Sequence, residues 1–286
     1  MKFGFVDEHR ALWPVRVICT VLGVSASGYY AWRTRAESRR AAANRALLDD
    51  IRLIHAESSG TYGSPRVHAV LRGHGRRVGR SRIERLMRHA GIRGLAALPR
   101  RTRTTDSRHS YPIAPNRLGR NFSAARPGQV WLADLTYIPT GEGWLYRAAI
   151  LDMHTRKLVG WCMRETLHVE IALGALKMAI ERQRPAPGLI HHSDRGIQYA
   201  AEAYRLVLAR SGITPSMSRK GDCWDNAPME SFFHTLKTER VHHRVYATRA
   251  EARRDLFGYI EGFYNSRRLH SALGYTSPAE MERKAA

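Results

Sequence analysis

Apolar positions recur at helical spacing through residues 1–98 and at strand spacing after Gly128. In VRVICTVLGVSASGYYAWR an apolar segment ends at Leu22-Gly23, Ser25 can cap a second helix, and Tyr29, Tyr30 and Trp32 resume the apolar face. That pattern predicts helix, short turn, helix over residues 15–33. Leu47, Leu48, Ile51 and Ile54 predict an amphipathic helix over Asn44–Glu57. Ser64 and Pro65 open another through Leu71. Ser81, a good N-cap residue, starts one over Ser81–His89 with Ile83, Leu86 and Met87 as its apolar stripe.

Residues 99–127 hold Pro99, Pro112, Pro115 and Pro127 and show neither period, so they read as a linker. Beyond them, QVWLADLTYIPT reads as a buried strand and Gly141-Glu142-Gly143 as a turn. WLYRAAILDM and RKLVGWCM then read as two strands joined near His154-Thr155. Next come a helix over His168–Arg184, the strand LIHHSD, a helix over Ala201–Gly212 and the short strand ITPSMS. Helices over Asn226–Val241 and Thr248–Tyr264 complete the pattern. Three adjacent strands followed by alternating helices and strands indicate a mixed α/β layer fold. The expected organisation is a helical, helix-turn-helix-type region at 1–98, the linker at 99–127, an α/β core at 128–245 and a helical extension at 246–286.

Charge sharpens this picture. The 286 residues carry 47 Lys+Arg against 25 Asp+Glu, a net of +22. Residues 1–120 hold 24 basic and 8 acidic residues (+16), leaving 23 and 17 (+6) for residues 121–286. Of the basic residues 41 are Arg, whose planar fork suits phosphate oxygens, so a polyanion such as nucleic acid is the natural partner. An Arg-rich but merely solvated surface is the alternative. Arg80, Arg82, Arg85 and Arg88 decorate the Ser81–His89 segment, with Arg76 and Arg77 just before it, as on a helix lying in a DNA groove. Three scattered cysteines, Cys19, Cys162 and Cys223, exclude a disulfide framework and a zinc ribbon or finger. No apolar run suits a membrane span, and the acids in MKFGFVDEHR do not suit a signal peptide, so a cytoplasmic location is expected.

Three carboxylates stand where chemistry is favoured. Alternation places Asp134 with Leu132 and Thr136, opposite Trp131, Ala133 and Leu135. A carboxylate in so apolar a strand needs a partner, unless it only bonds nearby backbone. Asp194 ends a strand, the usual edge for ligands in open α/β sheets, although Asp-x-Gly is also ordinary turn chemistry. Glu230 opens a helix that Asp225 or Asn226 can cap, and Lys237 shares its face two turns on. There are 59 residues between Asp134 and Asp194 and 35 between Asp194 and Glu230. Asp152, Asp222 and Asp225 read as turn or cap residues, and His191 and His192 as packed or solvated.

The blocks WLADLTY, HHSDRGIQY and MSRKGDCWDNAPMESFFHTLKTE resemble the catalytic core of DDE transposases and retroviral-type integrases. With LGVSASGYYAW, YGSPRVHAVLR and YNSRRLHSALGYTSPAE they are most similar to the downstream-frame (OrfB) product of the insertion sequence three family, over roughly residues 5–280. The resemblance implies an RNase H-like core in which Asp134, Asp194 and Glu230 are catalytic and bind two Mg²⁺ or Mn²⁺ ions. It also implies cleavage of DNA at the element's ends, strand transfer by 3′-OH attack, and Lys237 contacting phosphate. Arg219 and Lys220 are added here as further backbone contacts. Implied partners are end and target DNA, further copies of the chain on DNA, and an upstream-frame (OrfA) portion bearing a helix-turn-helix and leucine zipper. No sustained heptad is found in this chain, which therefore reads as the downstream portion. The zinc domain of retroviral integrases is not expected, because Cys19 is alone in the first 160 residues. Competing readings are a non-catalytic DNA-binding regulator and a metal-dependent nuclease without strand transfer.

Overall fold

The computed structural model describes residues 2–96, 110–219 and 223–285. Helices α1 (Lys2–His9), α2 (Val15–Val21) and α3 (Ala26–Thr34) enclose a small core of Val6, Ile18, Cys19 and Tyr29. The Ser25 hydroxyl accepts from the Gly28 amide at 3.0 Å and so caps α3, as the sequence predicts. A second core joins α4 (Arg39–Glu57), α5 (Ser64–Gly73) and α6 (Arg80–His89) through Leu47, Ile51, Ile54, Val67, Leu71, Ile83 and Met87. Helix α4 begins earlier than its apolar stripe, because Ser38 caps it by accepting from the Ala41 amide. Ser81 caps nothing. Gly79 takes the cap position, and Ser81 lies exposed in the first turn of α6.

After residues 110–127, which form neither helix nor strand, comes one five-stranded sheet. Strands β1 (Val130–Thr140), β2 (Gly143–Asp152) and β3 (Leu158–Arg164) form an antiparallel meander. β4 (Ile190–Ser193) lies parallel to β1, and β5 (Thr214–Met217) parallel to β4, giving the order β3-β2-β1-β4-β5. Parallel neighbours need long crossovers; α7 (Val169–Gln183), α8 (Ile197–Ala200) and α9 (Glu202–Arg210) supply them. The mixed sheet with helices on both faces is the expected RNase H-like arrangement.

Alternation along β1 divides the interior into two layers. Trp131 and Ala133 pack with Ile171, Leu176 and Leu208 on the α7/α9 face. Val130, Leu132 and Ile138 pack on the other face with Phe232, Leu236, Leu256 and Tyr259 of α10 (Ala227–Glu239) and α11 (Arg249–Tyr259). Helix α7 approaches β3 so closely that a Cβ at Gly160 would overlap the Ala175 carbonyl oxygen. Backbone cannot retreat as a flexible side chain can. Gly160→Ala is therefore expected to cost roughly 1–3 kcal/mol, read as a lower midpoint in thermal unfolding.

The segments flanking the sheet are built into it. Leu118, before β1, is buried in the same layer as Phe232. At the other end α11 gives way to a wider π-type turn over Ile260–Tyr264 instead of one continuous helix, and α12 (Pro278–Ala285) closes the chain. Arg268 donates to both oxygens of Glu239, at 2.8 and 2.6 Å, and the Tyr259 hydroxyl donates to the same carboxylate at 2.8 Å. Arg66 of α5 reaches Glu239 at 3.6 Å and donates to the Leu269 carbonyl oxygen at 3.0 Å, fastening the second helical core to the end of α10. No described helix is long and apolar enough to cross a membrane.

Candidate active site

Asp134 lies midway along β1, opposite Ala149 of β2, on the face that packs against α10. Its Oδ1 accepts from the Leu135 amide at 2.7 Å. The parallel pairing of β1 with β4 runs through Leu132 and His192, so Asp134 and Asp194 each stand two residues beyond that matched pair. Asp194 Oδ1 accepts from the Gly196 amide at 2.9 Å, holding the turn after β4. Strand register thus brings two residues 60 positions apart, 194 minus 134, near each other, Asp134 within β1 and Asp194 just past the end of β4.

Glu230 occupies the first turn of α10, exposed, while Met229, Phe232, Phe233 and Leu236 anchor that helix to the sheet. Lys237 lies two turns on, half-buried, with Nζ 5.5 Å from the centroid of the Tyr137 ring on β1. Burial pushes the Asp134 carboxyl well above the ordinary range, Asp194 and then Glu230 push it further, and the Leu135 amide and Lys237 oppose them. Burial also raises Glu230 and lowers Lys237, the latter opposed by Asp134. One carboxylate therefore feels all three of the other groups. They do not form a closed cage: among the described residues, no three His, Cys, Asp or Glu side chains are gathered tightly enough to hold a metal ion. Asp134 and Asp194 stand near each other on paired strands, and Glu230 acts on Asp134 from α10.

The loop before α10 is organised by a residue that sequence reading treats as a cap. Asp225 caps no helix. Its buried carboxylate accepts from Arg219 through Nε at 3.0 Å, Nη2 at 2.8 Å and the backbone amide at 2.9 Å. Arg120 Nε and Asn116 Nδ2 add bonds of 2.9 Å each from the segment before β1. Asn226, the other expected cap, donates to the Ala133 carbonyl oxygen at 3.1 Å, beside Asp134. Hydrogen bonds from Arg219, ahead of those from Arg120 and against burial, hold Asp225 well below the usual carboxylate range.

A depressed carboxylate contributes stability above its unfolded pKa of about 4 and loses it as pH falls through its lower folded value. Asp225→Asn should therefore lower the thermal midpoint near neutral pH, by less as the pH drops below about 4. A parent–variant difference unchanged across that range would contradict an ionic clasp.

The expected DNA-contact residues fare differently from one another. Arg219 is held by Asp225, and Lys220 lies outside the described residues, as does Asp222. Arg76 pairs with Asp50 at 2.9 Å, and Arg82 Nε donates to Asn44 at 2.9 Å. Arg77, Arg80 and Arg85 are exposed, with no side-chain partner among the described residues. His191 and His192 are packed, as expected. His191 meets the Tyr204 hydroxyl at 2.9 Å, with its pKa pulled down to about 3 by burial, and His192 sits between Ser216 and Ser218. Asp152 is the turn residue predicted, accepting from Thr155 and Gly128. Sequence reasoning missed the Asp225 clasp and the fully buried Arg147, whose guanidinium lies 5.3 Å from the Phe232 ring centroid beneath α10. Charged residues spaced irregularly along the chain give neither away.

Comparison with known proteins identifies the family. Residues 124–223 and 211–278 match descriptions of the integrase core domain, and residues 42–101 match an HTH-like domain. The transposase InsF for insertion sequence IS3A of Escherichia coli (strain K12) is 37% identical over 289 residues, covering 99% of each chain. The chain belongs to the insertion sequence three transposase family. An uncharacterized 31 kDa protein of insertion element IS600 from Shigella sonnei is 46% identical over 267 residues, 93% of this chain and 98% of that one. A chain of the simian T-cell lymphotropic virus intasome is looser: 14% identical, covering 82% of this chain and 74% of that one, with a TM-score of 0.47. That likeness is too loose to carry chemistry across. The strand placement of Asp134 and Asp194 thus falls inside the segment through which this transposase family member matches an integrase core.

Proposed function

We propose that this chain cuts DNA at the ends of its element and joins the freed 3′ ends to target DNA, using Asp134, Asp194 and Glu230. The observation that carries the reading is Asp134 and Asp194 standing two residues beyond a matched pair of β1 and β4, with Glu230 and Lys237 acting on Asp134 from α10, in a family that includes named transposases. The donors suit a hard divalent cation, being all carboxylate oxygen, and Asp134, raised first by burial and then by the Asp194 charge, is a carboxylate whose ionised form a cation would favour. Two Mg²⁺ or Mn²⁺ ions held there would activate the attacking oxygen and stabilise the leaving one. Asp134 from the middle of β1 and Asp194 from just past β4 would hold them, with Glu230 completing the set from α10.

Each step is an in-line displacement in which one P–O bond forms as another breaks. Water attacks first and releases a 3′-OH at the element end; that hydroxyl then attacks a target phosphodiester and displaces its 3′ oxygen. Lys237 would meet a phosphate oxygen beside the reacting one. Arg77, Arg80 and Arg85, exposed and without a side-chain partner among the described residues, would offer their guanidiniums to the DNA backbone. Further copies of the chain would bring the two ends together, and an upstream-frame product would add its own DNA contacts.

The test gives the purified chain labelled element-end DNA, a target duplex and Mg²⁺, with and without the upstream-frame product. Joined strands are expected. Cleavage with no joined product under either condition would favour a nuclease. Salt-sensitive binding with no cleavage, again under both, would favour a regulator.

A further inference from the structure

A basic cleft lies where the second helical core meets the C-terminal arm. Its walls are Pro65, His68, Ala69 and Arg72 of α5, Arg80 at the start of α6, and Gly274 and Tyr275 from the far end of the chain, around a volume of about 550 Å³. Arg72, Arg80 and His68 have no side-chain hydrogen bond or ion pair among the described residues, unlike Arg66 and Arg76 nearby. Three cationic or donor side chains thus converge on one space with no acid to neutralise them. Such a space suits an anion.

The aromatic wall is held in place by its backbone. Tyr275 has φ +62°, directly after Gly274 at +63°. A bulky residue in the left-handed region is an outlier that persists only when its surroundings over-determine it. Here they do: Gly274 N–H donates to the Ser271 carbonyl oxygen, Tyr275 N–H to that of His270, and His270 and Thr276 form a β-bridge. The turn presents the Tyr275 side chain, 38% exposed, at the cleft. Arginines that bind phosphate beside an aromatic ring that can stack on a base make up a single-strand nucleotide site.

We propose that this cleft takes one unstacked nucleotide of a DNA strand, its phosphate on Arg72 and Arg80 and its base on Tyr275. The inference deepens the DNA reading above and rests on it. It makes residues 274 and 275, at the opposite end of the chain from α5, part of the DNA-binding surface. Bases within a duplex are already stacked on one another, so the site selects a frayed or single-stranded flank over paired DNA.

Fluorescence anisotropy on the full chain tests this in metal-free buffer, where cutting does not occur. The probes are a labelled 20-nucleotide DNA strand of mixed sequence and the duplex of the same sequence. Tyr275→Asn removes the ring while keeping a residue that tolerates positive φ, and should weaken strand binding about tenfold with little effect on the duplex. Tyr275→Phe should bind as the parent does. Arg72→Gln with Arg80→Gln should flatten the salt dependence of strand binding by about 0.7 per lost phosphate contact. Deoxyadenosine monophosphate, matched in nucleotide concentration, should compete poorly.

Parent-like binding by Tyr275→Asn and by the double arginine variant would overturn the cleft while leaving DNA binding intact. Equal loss on strand and duplex would overturn the stacking role, and competition by the mononucleotide as strong as by the strand would assign the cleft to free nucleotides. Failure of the parent to bind either probe would overturn both this inference and the DNA reading.

Discussion

Asp194→Asn is expected to lower cleavage of element-end DNA by at least about a thousandfold, because it removes one of the carboxylates proposed to hold the divalent ions. Binding of the same DNA should survive, since the exposed arginines Arg77, Arg80 and Arg85 lie on the helical region. Stability should move the other way. Asp194 is the first charge to raise the Asp134 carboxyl beyond the effect of burial itself. A carboxylate raised in the folded state favours folding at low pH and loses that advantage as pH rises through its folded value. Taking the Asp194 charge away from the buried Asp134 carboxyl should therefore not destabilise the metal-free fold at neutral pH. Thermal unfolding in chelator should show the variant at least as stable as the parent, while Mg²⁺ should raise the midpoint of the parent alone. A variant that both unfolds early and loses DNA binding would point to a structural role for Asp194.

The second large effect lies away from that site. Glu239, at the end of α10, takes two bonds from Arg268 and one from Tyr259, with Arg66 of the helical region close by. Both side chains of the Glu239–Arg268 pair are almost fully buried, at 6% and 5% exposure. Removing one member leaves the other as an unpaired buried charge. Glu239→Ala should therefore cost roughly 3–5 kcal/mol, a fall of roughly 10 °C or more in the thermal midpoint. Pairing Glu239→Met with Arg268→Met should recover most of the loss, because apolar side chains of similar volume leave no charge stranded. A single variant within about 1 kcal/mol of the parent would show that water reaches Arg268.

These two sites differ in how far the sequence reveals them. The period-two runs of β1, β2 and β3 carry the sheet, and the apolar faces of α4 to α6 carry the helical region, since burial patterning is local. Asp134 and Asp194 are conspicuous because a carboxylate in WLADLTY or at the end of LIHHSD breaks an apolar run. Their convergence needs more: the parallel register of β1 with β4, which no local pattern encodes. Capping was legible where the side chain had nothing better to bond, as at Ser25. It failed at Ser81 because the chain enters α6 at Gly79, and at Asp225 because Arg219, Arg120 and Asn116 compete for its oxygens. The Glu239–Arg268 pair and the Tyr275 turn escape sequence reading for the same reason. Each depends on contacts between segments far apart in the chain.

Strand joining by Asp134, Asp194 and Glu230 is the central step proposed, and a pre-cut substrate isolates it from cutting. Element-end DNA already carrying a free 3′-OH is mixed with target duplex, Mg²⁺ and the parent chain, or its Asp134→Asn, Asp194→Asn or Glu230→Gln variant, supplied with the upstream-frame product. Joined strands from the parent and none from any of the three variants are predicted. Joining that persists in a variant still bound to the DNA, or no joining by a parent that binds it, would contradict the account.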